Sequence, residues 1–216
     1  MNIIELDKIS KTYGQHIIFH DFSLQVEEGE FIAITGKSGS GKSTLLNIMG
    51  LIEGFDSGNY TICGIKNPKL GSKESVSIIR HRISYLFQNF ALINDRTVSY
   101  NLEIAMRFQK KSKAEKSLAI SKALAAVGLE DVEYRHVSEL SGGEQQRVAL
   151  SRVILKSSDI ILADEPTGSL DHSNKETVLE ILSALNKSGK TVVLVTHDNE
   201  AVKTAKRVID LNTYKS

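Results

Sequence analysis

The sequence predicts an α/β fold with a helical insertion, and three observations carry that prediction. An apolar run at residues 31–34 is followed at once by a glycine-rich loop and then by Leu45-Leu46-Asn47-Ile48-Met49, a strand–loop–helix order. Two later runs, residues 160–163 and 192–195, are apolar throughout, as interior parallel strands are when helices cover both faces of their sheet. Between 97 and about 127, charged residues alternate with Leu, Ile, Ala and Met at helical spacing, with Leu102, Ala105 and Met106 as examples.

In chain order, short alternating or apolar segments predict strands at 3–6, 22–26, 31–35 and 60–63. Glu28-Gly29 reads as a hairpin-like turn between the second and third of these. The 97–127 stretch reads as several amphipathic helices, with Gly128 as a C-cap. A helix over 174–186 between the two late apolar runs completes a βαβ unit. The chain shows no internal repeat, low-complexity tract or long linker.

Composition bounds the function. A chain of 216 residues with 41% hydrophobic and 25% charged residues has the make-up of a soluble globular protein able to bury a core as one domain. A net charge of +1 argues against a broad nucleic-acid-binding face. Cys63 is the sole cysteine, so no intrachain disulfide can form, and a reducing compartment is expected. The N-terminus lacks a basic region followed by a long apolar run, so no signal peptide is expected. No apolar stretch approaches the ~20 residues of a membrane span, so any membrane role is borrowed from a partner.

The chemistry is densest at Gly36, Lys37, Ser38, Gly39, Ser40, Gly41, Lys42, Ser43 and Thr44, which fit GxxxxGK[ST]. Glycines here let backbone N–H groups wrap a polyphosphate at a helix N-terminus. Lys42 is positioned to reach the β- and γ-phosphates and Ser43 to ligate Mg²⁺. The implied ligand is ATP or GTP. At the end of the 160–163 run, Asp164 suits a Mg²⁺-bound water and Glu165 suits the polarisation of an attacking water. Leu140-Ser141-Gly142-Gly143-Glu144-Gln145 places an N-cap and two glycines at a second helix start, a second anion-binding device. If one chain cannot fold both devices around one nucleotide, two chains arranged head to tail can.

With these motifs the chain resembles, over nearly its whole length, the nucleotide-binding subunit of an ATP-binding-cassette (ABC) transporter. The resemblance implies a P-loop NTPase ABC ATPase fold, with a mostly parallel core sheet, an antiparallel β subdomain and a helical subdomain. Residues 1–216 would then form a single nucleotide-binding domain with the helical subdomain inserted at about 89–158. It also implies roles: Tyr13 stacking on adenine, Gln88 linking the nucleotide and its Mg²⁺ to the helical subdomain, and His197 contacting the γ-phosphate. Ser169-Leu170-Asp171 matches a loop that communicates across the dimer. Taken alone, Tyr13 reads as a surface aromatic, His197 as a structural histidine and Asp171 as a helix cap; their joint order carries the assignment.

By the same resemblance, two cassettes sandwich two ATP molecules. Lys42, Ser43, Asp164, Glu165 and His197 of one copy face Ser141, Gly142 and Gly143 of the other. Residues 164–171 resemble the branch with macrolide exporters, lipoprotein-releasing complexes, cell-division ATPases and peptide-antibiotic exporters. The expected function is ATP hydrolysis driving an integral-membrane permease, with the cassette held on the inner face of the cell membrane. The runner-up is a cell-division or signalling ATPase that drives a membrane partner without moving cargo. Residues 92–101 lack the proline and Glu-Asn pair common in this branch, a departure in the region expected to face the membrane partner.

Overall fold

Two patterns of apolar residues build two sheets. The computed structural model describes residues 1–168 and 171–214. Its first strands, β1 (Asn2–Tyr13) and β2 (His16–Glu27), pair antiparallel from Asn2↔Glu27 to Tyr13↔His16. In β2, Phe22, Leu24 and Val26 are buried while Ser23, Gln25 and Glu27 are exposed, the alternation of a sheet covered on one side. The chain then enters β3 (Phe31–Thr35), α1 (Lys42–Met49), β4 (Ser57–Ile62) and β5 (Ile65–Lys66). Strands β4 and β5 return to the first sheet, whose order is β2-β1-β4-β5.

The remaining elements are α2 (Lys73–His81), β6 (Ile83–Leu86), α3 (Val98–Ala105), α4 (Lys113–Ala125) and α5 (Gly142–Leu155). After them come β7 (Ile160–Asp164), α6 (His172–Lys187), β8 (Thr191–Val195), α7 (Asn199–Thr204) and β9 (Arg207–Asp210). The second sheet is parallel throughout, in the order β6-β7-β8-β3-β9.

This parallel sheet divides the interior into two cores. Ile32, Ile34, Leu162, Val193 and Val195 face α1 and the antiparallel sheet. Phe31, Ile161, Ala163, Val192 and Leu194 face the apolar sides of α3, α4, α5 and α6. Every inner strand therefore buries both of its faces, which is why its sequence runs apolar without alternation.

The predicted βαβ unit is present as β7–α6–β8, paired Ile160↔Thr191 through Asp164↔Val195. The helix is longer than its 174–186 expectation because Asp171 caps it three residues earlier. The 97–127 stretch divides into α3 and α4, capped by Thr97 and Ser112, and Gly128 sits beyond α4 at φ 68. The hairpin expected at Glu28-Gly29 is not one: this turn carries the chain from the first sheet into the second. Gly29 N–H donates to Thr191 Oγ1 (2.9 Å) and Val192 N–H to Glu30 O (2.8 Å), so the chain leaves the turn already committed to β8. An all-apolar β3 has no place beside an amphipathic β2. The hairpin lies one strand earlier, at Gly14-Gln15.

Candidate active site

Four of the predicted site segments end at one edge of the parallel sheet. The loop 36–41 follows β3, Gln88 lies two residues past β6, Asp164 and Glu165 close β7, and His197 lies two residues past β8. Carboxyl ends of parallel strands are where an open α/β sheet leaves a crevice.

The loop after β3 is built around its backbone. Gly36 has φ 149, and a Cβ there would lie 2.5 Å from Ser40 Oγ; at Gly41, φ 97, it would lie 2.6 Å from Ile18. Neither position accepts a side chain. Helix α1 starts on Gly41, so no side chain caps it, and its first N–H groups are left for an external acceptor. Ser40 Oγ is buried without a hydrogen-bond partner among the described residues. Lys42 Nζ donates to Gly36 O (2.9 Å) and Lys37 O (3.1 Å), so its ammonium sits over the loop, hydrogen-bonded to carbonyls. Lys37 N–H is held by Asn212 Oδ1 (3.1 Å), and Ser38 and Gly39 form the exposed tip. A cradle of this kind fits a polyphosphate.

Across the crevice, Ser43 Oγ donates to Asp164 Oδ1 at 3.3 Å, joining residues 121 positions apart. A hydroxyl and a carboxylate oxygen at this spacing form a hard-donor pair of the sort that would hold Mg²⁺. Burial pushes the Asp164 carboxyl up from its usual value; the Ser43 hydrogen bond and nearby Lys42 oppose the rise, and Glu165 adds to it. Glu165 adopts φ 46, and its N–H donates to Val195 O (2.9 Å), anchoring the residue across the strand ends. Its Oε2 lies 2.7 Å from His197 Nδ1, but the two are not aligned as a hydrogen bond, and among the described residues that buried oxygen has no other partner. His197 is exposed, with its side chain 71% accessible.

Tyr13 closes the far end of this face, at the last position of β1, with its ring half exposed. Gln88 is exposed on the same sheet edge without a hydrogen bond to Ser43 or Asp164.

The remaining predicted residues gather elsewhere. Ser141 caps α5 in a reciprocal box with Glu144: its Oγ accepts from Glu144 N–H (3.3 Å), and its N–H donates to Glu144 Oε2 (2.8 Å). No hydrogen bond among the described residues runs from Ser141, Gly142 or Gly143 to the 36–44 loop. This helix start is tied instead to the region after β7. Gln146 Nε2 donates to Pro166 O (2.8 Å), Arg147 bonds Asn174, and Asn174 in turn donates through its N–H and Nδ2 to Asp171 (2.9 and 2.7 Å). Of the predicted 169–171 loop, Ser169 and Leu170 lie outside the described residues. Gln146 and Asn174 were not legible as site residues. A glutamine beside Gln145 and Arg147 reads as surface, yet Gln146 is 1% exposed.

A surface concavity of about 490 Å³ lies away from this chemistry on the β1–β2–β4 sheet beside Arg207 and Tyr214. A second, more apolar groove of about 310 Å³ lies beneath the Gln88 turn, lined by Ile79, Arg80, Tyr85, Phe87, Ile104 and Phe108 among others.

Comparison with known proteins agrees with this geometry. The ABC transporter family model matches residues 19–168. The macrolide export ATP-binding/permease protein MacB of Mannheimia succiniciproducens is 38% identical over 98% of this chain, and that of Escherichia coli is 40% identical over 97%. The chain spans only about a third, 33%, of the length of either relative. Among solved structures, the dimeric bacterial ABC transporter cassette MJ0796 superposes with a TM-score of 0.89 at 38% identity, covering 96% of this chain and 93% of that one. A post-hydrolysis state of the same cassette, bound to ADP and Pi, matches equally well. A strand-edge phosphate cradle, an acidic strand end and a capped glycine helix start, joined in one fold that superposes on a solved cassette, place this chain in the ABC transporter family as an ATP-binding cassette.

Proposed function

We propose that this chain is the ATP-binding and ATP-hydrolysing subunit of a membrane exporter. The observation that carries the reading is the convergence of Lys42, Ser43, Asp164, Glu165 and His197 at one sheet edge, with Ser43 and Asp164 in direct contact. The N–H groups of the 36–44 loop and Lys42 bind the phosphates of ATP, and Tyr13 stacks on the base. Ser43 and Asp164, with Gln88 at the edge, would hold Mg²⁺, which would neutralise charge on the phosphates. Glu165 takes the proton of the attacking water or fixes its direction, and His197 and Lys42 stabilise charge on the γ-phosphate.

Ser141, Gly142 and Gly143 complete the site of a second copy, so ATP binding and homodimer closure are one event. The solved relative MJ0796 is a dimeric cassette, which supports this pairing. ATP binds the closed dimer better than its products do, and hydrolysis therefore reopens it. Residues 1–216 act as one nucleotide-binding domain with an inserted helical subdomain at about 89–158. The apolar groove beneath Gln88 receives an integral-membrane permease that holds the cassette on the inner face of the membrane; among the described residues no helix is long and apolar enough to cross it. The cargo is of the peptide, antibiotic or lipoprotein type, and the relatives named for macrolide export support the antibiotic member of that set.

Two measurements test this. The purified chain with ATP and Mg²⁺ should release phosphate, and failure to bind nucleotide would end the ATPase reading. Tagging the chain in its own cell and solubilising membranes gently should recover a stoichiometric membrane protein. Recovery of a soluble or nucleic-acid partner alone would overturn the transport reading and leave the ATPase standing.

A further inference from the structure

Tyr13 is the last residue of β1, beside the Gly14-Gln15 turn, with its ring half exposed. The backbone beneath it is held. Asp56 Oδ2 accepts from both Thr12 N–H and Thr12 Oγ1 (2.7 Å each), and Asp56 N–H donates to Ser10 O (2.8 Å). The ring is held separately. The Tyr13 hydroxyl donates to Glu53 Oε1, and the same carboxylate oxygen takes Lys11 Nζ at 3.0 Å. Lys11 Nζ also lies 4.8 Å from the Tyr13 ring centroid, occupying one face and leaving the other for a flat partner.

Glu53 is itself a fixed point. Its N–H donates to Asn47 O (3.3 Å), its carboxylate receives the Asn47 side chain, and Asn47 Oδ1 accepts from Tyr85 Oη at 2.8 Å. Asn47 belongs to α1, the helix that begins in the phosphate loop. Burial pushes the Glu53 carboxyl up, but the bonds from Tyr13, Lys11 and Asn47 outweigh it and hold the group ionised. The base-facing aromatic and the phosphate-facing helix are thus joined through this carboxylate, and the Tyr13 hydroxyl also meets the Thr44 side chain at the start of α1.

We propose that Glu53 is the positioning residue of the nucleotide site: it orients the Tyr13 ring against the base at a set height above α1. The inference rests on the reading of Tyr13 as the base-stacking residue. It concerns affinity for the base, since no hydrogen bond or ion pair among the described residues joins Glu53 to the loop carbonyls or to Asp164.

The experiment compares binding of MgATP with binding of magnesium tripolyphosphate, which has no base, to the full chain by calorimetry. Glu53→Ala should weaken ATP binding about three- to tenfold, as loss of one charged hydrogen bond does, with tripolyphosphate affinity unchanged. Tyr13→Phe, which keeps the ring and removes only the hydroxyl, should show the same loss, and the double variant should lose no more than either. Tyr13→Ala should lose more than Glu53→Ala, again for ATP only. If Tyr13→Ala weakens ATP selectively and Glu53→Ala and Tyr13→Phe do not, the positioning role falls while base stacking stands. If Tyr13→Ala leaves the ratio of the two affinities unchanged, the base-stacking reading falls and takes this inference with it. Equal weakening of both ligands by Glu53→Ala, with Tyr13→Phe silent, assigns Glu53 a structural role and also overturns it.

Discussion

Glu165 and His197 meet across the ends of β7 and β8 with 2.7 Å between Oε2 and Nδ1, in a contact not aligned as a hydrogen bond. The carboxylate side chain is 14% accessible and the imidazole 71%. A buried oxygen without a partner costs free energy, and water bound between the crevice walls would satisfy it. This placement suits a group that orients a nucleophile. Glu165→Gln should keep nucleotide binding and slow hydrolysis by about 10²- to 10⁴-fold. ATP should then hold two copies together, seen as a dimer peak in gel filtration with ATP and a monomer peak without it. Near-normal turnover in Glu165→Gln would remove the residue from this role.

Lys42 in this structure satisfies its ammonium with the carbonyls of Gly36 and Lys37, which are neutral partners for a full charge. A triphosphate offers a much stronger one. Lys42→Ala should therefore weaken ATP binding by about tenfold or more, while melting temperature changes little, because the loop loses only two hydrogen bonds at a partly exposed site. Titration with a fluorescent ATP analogue checks the first half and thermal denaturation the second. Unchanged affinity would count against Lys42 as a phosphate ligand.

Much of the site was legible because its chemistry is written in short contiguous strings. The 36–44 loop, the acidic end of β7 and the capped glycines at 141–143 each announce a local geometry that the chain adopts. The inner strands were legible for a related reason: burial on both faces leaves no polar position to blur the pattern. Strand β6 was not. Its four residues include Ser84, a polar residue that is buried because its Oγ pairs with Ser158 Oγ (2.7 Å) across 74 residues. The Glu28-Gly29 turn looked like a hairpin because local chemistry sets a turn but not which sheet the chain enters next. Contacts such as Ser43–Asp164 and Gln146–Pro166 have no local signature at all.

Gln146 provides a test of how the two halves of the site are joined. Its amide is buried and donates to Pro166 O, one residue past Glu165, while its helix begins at Ser141. Gln146→Met preserves volume and removes the donor, leaving the Pro166 carbonyl unsatisfied. The expected cost is about 1–3 kcal/mol of stability, read by urea denaturation. Turnover should fall further than nucleotide affinity, because the bond sets the backbone next to Glu165 and does not touch the phosphate loop. A variant as stable and active as wild type would show that apolar packing alone holds these elements.

Asp164 should set stability against function. Burial raises its pKa above the usual value of 3.8, so the folded protein holds the proton more readily than the unfolded chain does. Stability is then highest below 3.8 as far as this group is concerned, falls as pH rises through the raised folded value, and stays lower at neutral pH. Asp164→Asn keeps an acceptor for Ser43 and removes the charge. It should melt at a higher temperature than wild type at pH 7, and the gap should narrow as pH is lowered toward 4. Hydrolysis should be nearly lost in the same variant, since an amide is a poor Mg²⁺ ligand. Melting curves across pH 4–8, with phosphate release measured alongside, test both halves. A variant no more stable than wild type at pH 7 would show that the Ser43 bond and Lys42 outweigh desolvation of this carboxylate.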